Sequence, residues 1–340
     1  MLTFDEKNGT EFAEGIKNHL AIKSELQPRY TSPDKRSFIE YYDSIKQFNR
    51  SLQKNVSLYL CKLMGEPQHF SFATTGSDGR YEKGPGSEME LVVLLKQETD
   101  IKEILDALLK IIKEKTEKDV FDDIEIRNLD KDILSFYNGD KKRIFPSRTT
   151  DLAYLCGNNS FIGEAKLKLI SEFSGAEGKI INEEIKNKKR EYRSIMRDGK
   201  QSFKGSNFVH YDFEKAEVNF NPENGLWSFK YGPLRAVQFS IIKDLVYSVK
   251  NKKDTNFINS MPNNTEERIY FFEAERMLNL SQTETSDLVN SYKFFLWFYH
   301  LSQWEHRNNE KTRIDASPFK NEIKERIESL DKILSKSLIK

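Results

Sequence analysis

Residues 70–96 of this 340-residue chain, FSFATTGSDGRYEKGPGSEMELVVLLK, constrain its fold more than any other stretch. Two apolar runs, 70–75 and 89–95, are short enough to read as strands rather than helices. Between them a Gly76-Ser77 turn leads into a helix start that runs to Lys83, and Gly84-Pro85-Gly86 breaks it. The polar loop at the end of this strand pair is where chemistry is expected. Glu88 and Glu90 stand two residues apart where the second strand begins, and alternation along a strand sends both carboxylates to one side. Like charges held that close call for a cation between them.

The rest of the composition narrows the class. The chain is long enough for two domains. Its 54 basic and 53 acidic residues leave a net charge of +1, which argues against a dedicated nucleic-acid binder. Two cysteines, Cys61 and Cys156, make neither a disulfide framework nor a cysteine-ligated zinc site, and the five histidines lack HExxH spacing. No apolar run approaches the roughly 18 residues of a membrane span, and the first residues do not read as a signal peptide, so the expectation is a cytoplasmic protein. Abundant Lys, Asn and Ile fit an AT-rich bacterial genome.

Taken in order, the chain shows weak periodicity before residue 30. Ser32-Pro33 then suits a helix start, and Phe38, Tyr41, Ile45, Phe48, Leu52, Val56, Tyr59 and Leu63 give the following helix one apolar face, stopped by Gly65 and Pro67. A helix is predicted over 101–115 and a strand over 120–129; residues 130–147 read as an insertion or a short helix and loop. The segment 148–157 reads as a strand with one acid, Asp151, inside it. A buried carboxylate needs a partner or a metal, because desolvating a charge is costly. The remainder reads as mostly helical: helices over 160–173 and 179–197, the second with a basic face, then a β-hairpin between 207 and 230 turning around Asn221-Pro222-Glu223-Asn224-Gly225. Further helices start at Gly232-Pro233, Asn264, Ser281 and Ser317-Pro318, and residues 292–304, aromatic nearly all round, are expected at the centre of a helix bundle.

Gly76-Ser77, ten intervening residues, Glu88-Met89-Glu90 and a later lone acid form a spaced set with a mechanism. A Gly-Ser turn after a strand lets backbone N–H groups approach phosphate oxygens, with the serine hydroxyl adding a bond. Three carboxylates on neighbouring strands can hold two Mg²⁺ ions against a triphosphate. Asp151 is the third acid by this reading, with Asp122 and Asp123 as rivals.

This set resembles the signature of the DNA polymerase beta-like nucleotidyltransferase superfamily, in which Gly and Gly or Ser precede an acid-hydrophobic-acid triplet. It is most similar to the branch containing the PII uridylyltransferase and the glutamine-synthetase adenylyltransferase. The loop of that branch, Gly-Ser-x-Gly-Arg-x-Glu, is matched by Gly76, Ser77, Gly79, Arg80 and Glu82, and its downstream Lys-x-Gly-x-Leu-Arg by Lys230, Gly232, Leu234 and Arg235. The resemblance implies an α+β fold: an N-terminal helical segment (1–65), a small mixed-sheet nucleotidyltransferase core (66–158) and a C-terminal helical bundle carrying a β-hairpin (159–340). It implies an enzyme that moves a nucleoside monophosphate from an NTP to an acceptor, a protein in the nearest relatives, with Mg²⁺ or Mn²⁺. In that scheme Glu88, Glu90 and Asp151 are the catalytic metal ligands, Asp151 also taking the acceptor's proton. Gly76, Ser77, Arg80, Glu82 and Arg235 bind nucleotide. The family's first ligand is usually Asp, whereas both acids here are Glu, one methylene longer, against the short octahedral bonds of Mg²⁺. The alternative reading is a nucleotidyltransferase-like fold that has lost catalysis and serves as a regulatory or protein-binding module.

Overall fold

The computed structural model describes residues 6–26, 37–64, 69–84, 89–96, 102–116, 121–129, 135–138, 141–144, 149–174, 178–198, 210–219, 227–242, 255–309, 313–336 and 338. It is a mixed α+β structure in two compact units. The first comprises residues 1–29, 43–172 and 253–264, and the second 30–42, 173–252 and 265–340.

The first unit is built on a four-stranded mixed sheet. Two helices, α1 (Glu6–Leu26) and α2 (Ser37–Met64, whose residues through Tyr42 belong to the second unit), precede β1 (Phe70–Thr74). A four-residue helical turn, α3 (Gly76–Gly79), leads to β2 (Met89–Leu95), which runs antiparallel to β1 with Phe70 opposite Leu95 and Thr74 opposite Leu91. Helix α4 (Lys102–Thr116) then crosses over to β3 (Phe121–Asn128), parallel to β2, as a parallel pair requires. It buries Leu105, Leu108 and Ile112 at three- and four-residue steps and lies against α1. After a hairpin of β4 (Ser135–Asn138) and β5 (Lys141–Ile144), β6 (Ala153–Gly157) returns antiparallel to β1, giving the order β3-β2-β1-β6. Helix α5 (Ser160–Ser174) covers one sheet face, where Ala73, Val92 and Leu94 pack with Leu152, Phe161, Ile162 and Ala165. Every residue of β1 is buried, and so is β2 apart from Glu90.

Two expectations are corrected here. Within 130–147, read as an insertion or a short helix and loop, the described residues form a two-stranded hairpin; Gly139-Asp140 is a hairpin signature the sequence carries. The strand expected over 148–157 begins only at Ala153, so Asp151 sits in the turn before it and not inside a strand. The start expected at Ser32-Pro33 lies outside the described residues.

The second unit is mainly helical. It contains α6 (Gly178–Asp198), a wide turn at Lys230–Leu234 that continues as helix α7 (235–242), α8 (Thr265–Ala274), α9 (Gln282–Asn309) and α10 (Lys320–Ser335). A small sheet accompanies them, with β7 (His210–Asp212), β8 (Glu217–Asn219), β9 (Trp227–Ser228) and β10 (Arg313–Asp315) in the order β10-β8-β7-β9. The hairpin foreseen between 207 and 230 therefore turns at residues 213–216, where Ala216 takes a positive φ of 53°, and the Asn-Pro-Glu-Asn-Gly segment lies outside the described residues. Helix α9 opens on a reciprocal capping box: Ser281 Oγ accepts from the Glu284 N–H, and the Glu284 carboxylate accepts from the Ser281 N–H at 3.0 Å. Its middle, Ser291 to Phe298, is wholly buried, and Phe294, Trp297 and Phe298 pack edge-on and tilted against one another and Phe319.

Candidate functional site

The loop between β1 and β2 is organised by its glycines. Thr75 leaves β1 extended, and Gly76 turns the chain with φ +61°, a region open to glycine at little cost. A Cβ on Gly76 would stand 2.5 Å from Glu90 Oε2. The Glu90 carboxylate therefore rests directly over the start of α3, where a side chain would displace it. Ser77 is half-buried beside it. Gly79 has a different neighbour: a Cβ there would overlap the carbonyl oxygen of Asp151 and lie 3.2 Å from the Thr74 carbonyl. Only glycine lets the turn before β6 press this close to the loop.

Behind these glycines lies a buried group of charges. Arg80 Nε donates to Glu82 Oε2 at 2.8 Å, and Arg80 Nη1 donates to Asp151 Oδ2. Relative exposures are 6% for Arg80 and 1% for both acids, so the guanidinium bridges two carboxylates that water scarcely reaches. Thr150 Oγ1 stands 3.4 Å from the other Asp151 oxygen. Asp78 forms a second set. Its Oδ2 accepts the Glu90 backbone N–H at 2.9 Å, and its Oδ1 lies 3.4 Å from Lys83 Nζ. Asp78 thus fixes the start of β2 against the loop, and with it the place from which the Glu90 carboxylate projects. Lys83 is buried with it.

Helix α2 supports the loop from outside. Asn49 Nδ2 donates to the carbonyls of Tyr81 at 3.2 Å and Lys83 at 3.0 Å, and Gln53 Nε2 donates to that of Asp78. These bonds hold a strained backbone, since Tyr81 has φ 60°, a conformation that costs a bulky residue on the order of 1–3 kcal/mol. The Arg50 guanidinium sits 5.0 Å from the centre of the Tyr81 ring. None of Asn49, Gln53, Asp78 and Lys83 was singled out by sequence. A signal did exist for two of them: Asn49 and Gln53 are polar residues four apart beside the apolar stripe of an amphipathic helix, and both are buried.

Of the residues expected at the site, Gly76, Ser77, Arg80, Glu82, Glu90 and Asp151 fall together in the first unit. Glu88 lies outside the described residues, as do the side chains of Asp122 and Asp123. Arg235 belongs to the second unit. There it stands near Tyr192, whose hydroxyl pKa is raised by burial and drawn down in part by Arg235 and Lys188. Tyr192 also faces Tyr231, their ring centres 6.2 Å apart. Among the described residues no group of three or more His, Cys, Asp or Glu side chains is disposed to hold a metal ion. In this geometry Asp151 faces Arg80, and the half-buried Glu90 carboxylate lies beside Gly76.

The chain matches no protein-family model and no curated protein.

Proposed function

We propose that the chain is a nucleotidyltransferase, moving a nucleoside monophosphate from an NTP to an acceptor, with a protein side chain as the acceptor and the cytoplasm as its setting. The observation that carries this reading is the seat of Glu90: a carboxylate at the start of a sheet strand, resting over a Gly-Ser turn that opens a helix. Gly76 leaves the backbone open to phosphate oxygens and Ser77 offers a hydroxyl. Glu88 and Glu90 would hold Mg²⁺ or Mn²⁺, which when bound would neutralise charge on the triphosphate. Mn²⁺ is the better match to the longer glutamate arm, because Mg²⁺ demands tighter octahedral geometry.

Asp151 takes a different part from the one foreseen. Its carboxylate is spent on Arg80, so we assign Arg80, Glu82 and Asp151 to bracing the loop from behind, leaving the two glutamates to the metal. Arg235 stays in the proposal as a nucleotide-binding residue on the strength of the Lys-x-Gly-x-Leu-Arg segment alone.

The test is labelling. Purified chain with Mn²⁺ or Mg²⁺ and each α-labelled NTP is expected to label itself or a lysate protein, and E90Q to abolish the label. Absence of both labelling and nucleotide binding would sink the proposal. One observation favours a second reading, a nucleotidyltransferase-like fold without catalysis that binds a regulatory partner: the engagement of Asp151 by Arg80 leaves fewer acids for metal than the chemistry ordinarily uses. NTP with Mn²⁺ raising the melting temperature, an effect lost in E88Q and E90Q, separates the enzyme from this module.

A further inference from the structure

The loop and the turn before β6 are tied by a segment far away in sequence. After a short helix at Thr255–Ser260 the chain runs Met261-Pro262-Asn263-Asn264, all within the first unit, and crosses to the second immediately after Asn264. Asn264 is fully buried and its Nδ2 donates to the Arg80 carbonyl at 2.9 Å. Asn263 Nδ2 donates to the Leu152 carbonyl at 2.9 Å. The Asn263 amide is itself oriented, since its Oδ1 accepts from Lys166 Nζ of α5 at 3.0 Å, which leaves the NH₂ group to face Leu152. Two consecutive asparagines therefore grip the backbone on both sides of the Arg80–Asp151 pair, one at Arg80 itself and one at the neighbour of Asp151.

We propose that Asn263 and Asn264 are positioning residues for the nucleotide site, a clasp that keeps the Arg80 loop and the Asp151 turn in register. The inference rests on the reading given under Proposed function. The physical argument is that an ion pair constrains two side chains but leaves their backbones free to slide. The clasp fixes the backbones, through two neutral donors whose placement does not depend on charge. The path to the site is short: Arg80 follows directly on α3, whose first residue carries the Glu90 carboxylate against it, and Asp78 of α3 holds the Glu90 N–H. Releasing the Arg80 carbonyl loosens α3, and the carboxylate resting on Gly76 loses its fixed seat. Groups bonded directly to a metal ligand are typically worth about 10- to 100-fold in metal affinity, and the clasp, which reaches Glu90 through Arg80 and α3, is placed at the lower end of that range.

The experiment compares the full-length chain with N264D and N263D, each of near-identical shape but without the N–H donor at neutral pH. Dissociation constants for Mn²⁺ with ATP, UTP, GTP and CTP are measured by calorimetry between pH 8 and pH 5, on protein whose circular dichroism and melting transition show it folded. N264D is expected to bind its best nucleotide about 10-fold more weakly than the natural chain at pH 8. It is expected to recover toward the natural value as pH falls, because the introduced carboxyl, its pKa raised by burial, regains a proton and can again donate to the Arg80 carbonyl. A role in stability alone would not link that recovery to nucleotide affinity in fully folded protein. N263D, which keeps the Lys166 contact, carries the same test if N264D does not fold. Affinities within twofold of the natural chain, a loss that acid does not reverse, or failure of both variants to fold would each overturn the clasp while leaving the parent proposal standing. A natural chain that binds no nucleotide with Mn²⁺ overturns both.

Discussion

Replacing Arg80 by Met removes the guanidinium bonded to Glu82 and Asp151 and sets a neutral side chain against two carboxylates, each 1% exposed. Breaking a buried pair in this way costs about 3–5 kcal/mol, because a buried charge is left uncompensated. With whole domains stable by about 5–15 kcal/mol, that is a large share of the total. In urea unfolding followed by circular dichroism, a slope of about 1–3 kcal/mol per molar turns the loss into a midpoint shift of roughly 1–5 M for the transition of the first unit. The companion variant replaces all three charges by apolar residues, R80M with E82L and D151L. Buried ion networks exchanged for apolar groups of similar volume are often neutral or more stable by about 1–4 kcal/mol. The triple variant is therefore expected to regain most of the stability that R80M loses, while losing nucleotide binding, since the charges serve the loop's geometry rather than its net stability. An R80M chain within about 0.5 kcal/mol of the natural one would refute the reasoning, as that is the size of an ordinary surface change. A triple variant as unstable as R80M would show that the charges are kept for stability.

Other outcomes follow from the same geometry. G79A forces a methyl group into the Asp151 carbonyl, a backbone neighbour that cannot swing aside; a loss of about 1–3 kcal/mol is expected, with separation of the Arg80–Asp151 pair visible as a shifted Arg80 side-chain resonance. N49A leaves the Tyr81 and Lys83 carbonyls without their donor and is expected to cost about 1–3 kcal/mol in urea unfolding, with the amides of residues 81–84 exchanging faster. At the other end of the chain, hydrogen bonds from Lys336 and then from the Ser281 N–H lower the Glu284 carboxyl from its ordinary 4.5 to about 2. A depressed folded pKa contributes stability above the unfolded value that is lost as pH falls toward the folded one. The melting temperature of the natural chain should therefore fall more steeply between pH 4.5 and pH 2 than that of E284Q; parallel curves would show that the capping box is not formed in solution.

How far the chain could be read depends on the range of the forces involved. Strands β1 and β2 and the capping box at Ser281 and Glu284 are written in local pattern, apolar runs and cap spacing, and the structure has them where the pattern put them. Asp151 was harder. An acid at the head of an apolar run looks like part of a strand, but its partner Arg80 lies 71 residues away, and only the fold shows that the carboxylate belongs to a turn facing a guanidinium. Lys83 is a similar case, because a lysine beside a glycine-rich break carries no local sign that Asp78 will be brought to it. Asn264 carries no local sign of its contact with Arg80, 184 positions earlier. In the second unit, glycine and proline in the Asn-Pro-Glu-Asn-Gly segment outweighed the quieter turn at 213–216, whose positive φ falls on Ala216, a residue no turn rule favours.

The most direct measurement of the central claim is a crystal structure of the chain soaked with Mn²⁺ and a non-hydrolysable NTP, with the metal located by anomalous scattering. The account predicts an Mn²⁺ peak within coordinating distance of the Glu90 and Glu88 carboxylates, the triphosphate on the backbone of Gly76 and Ser77, and the Arg80–Asp151 pair intact behind them. A metal and triphosphate bound elsewhere, or no binding at millimolar nucleotide, would contradict it.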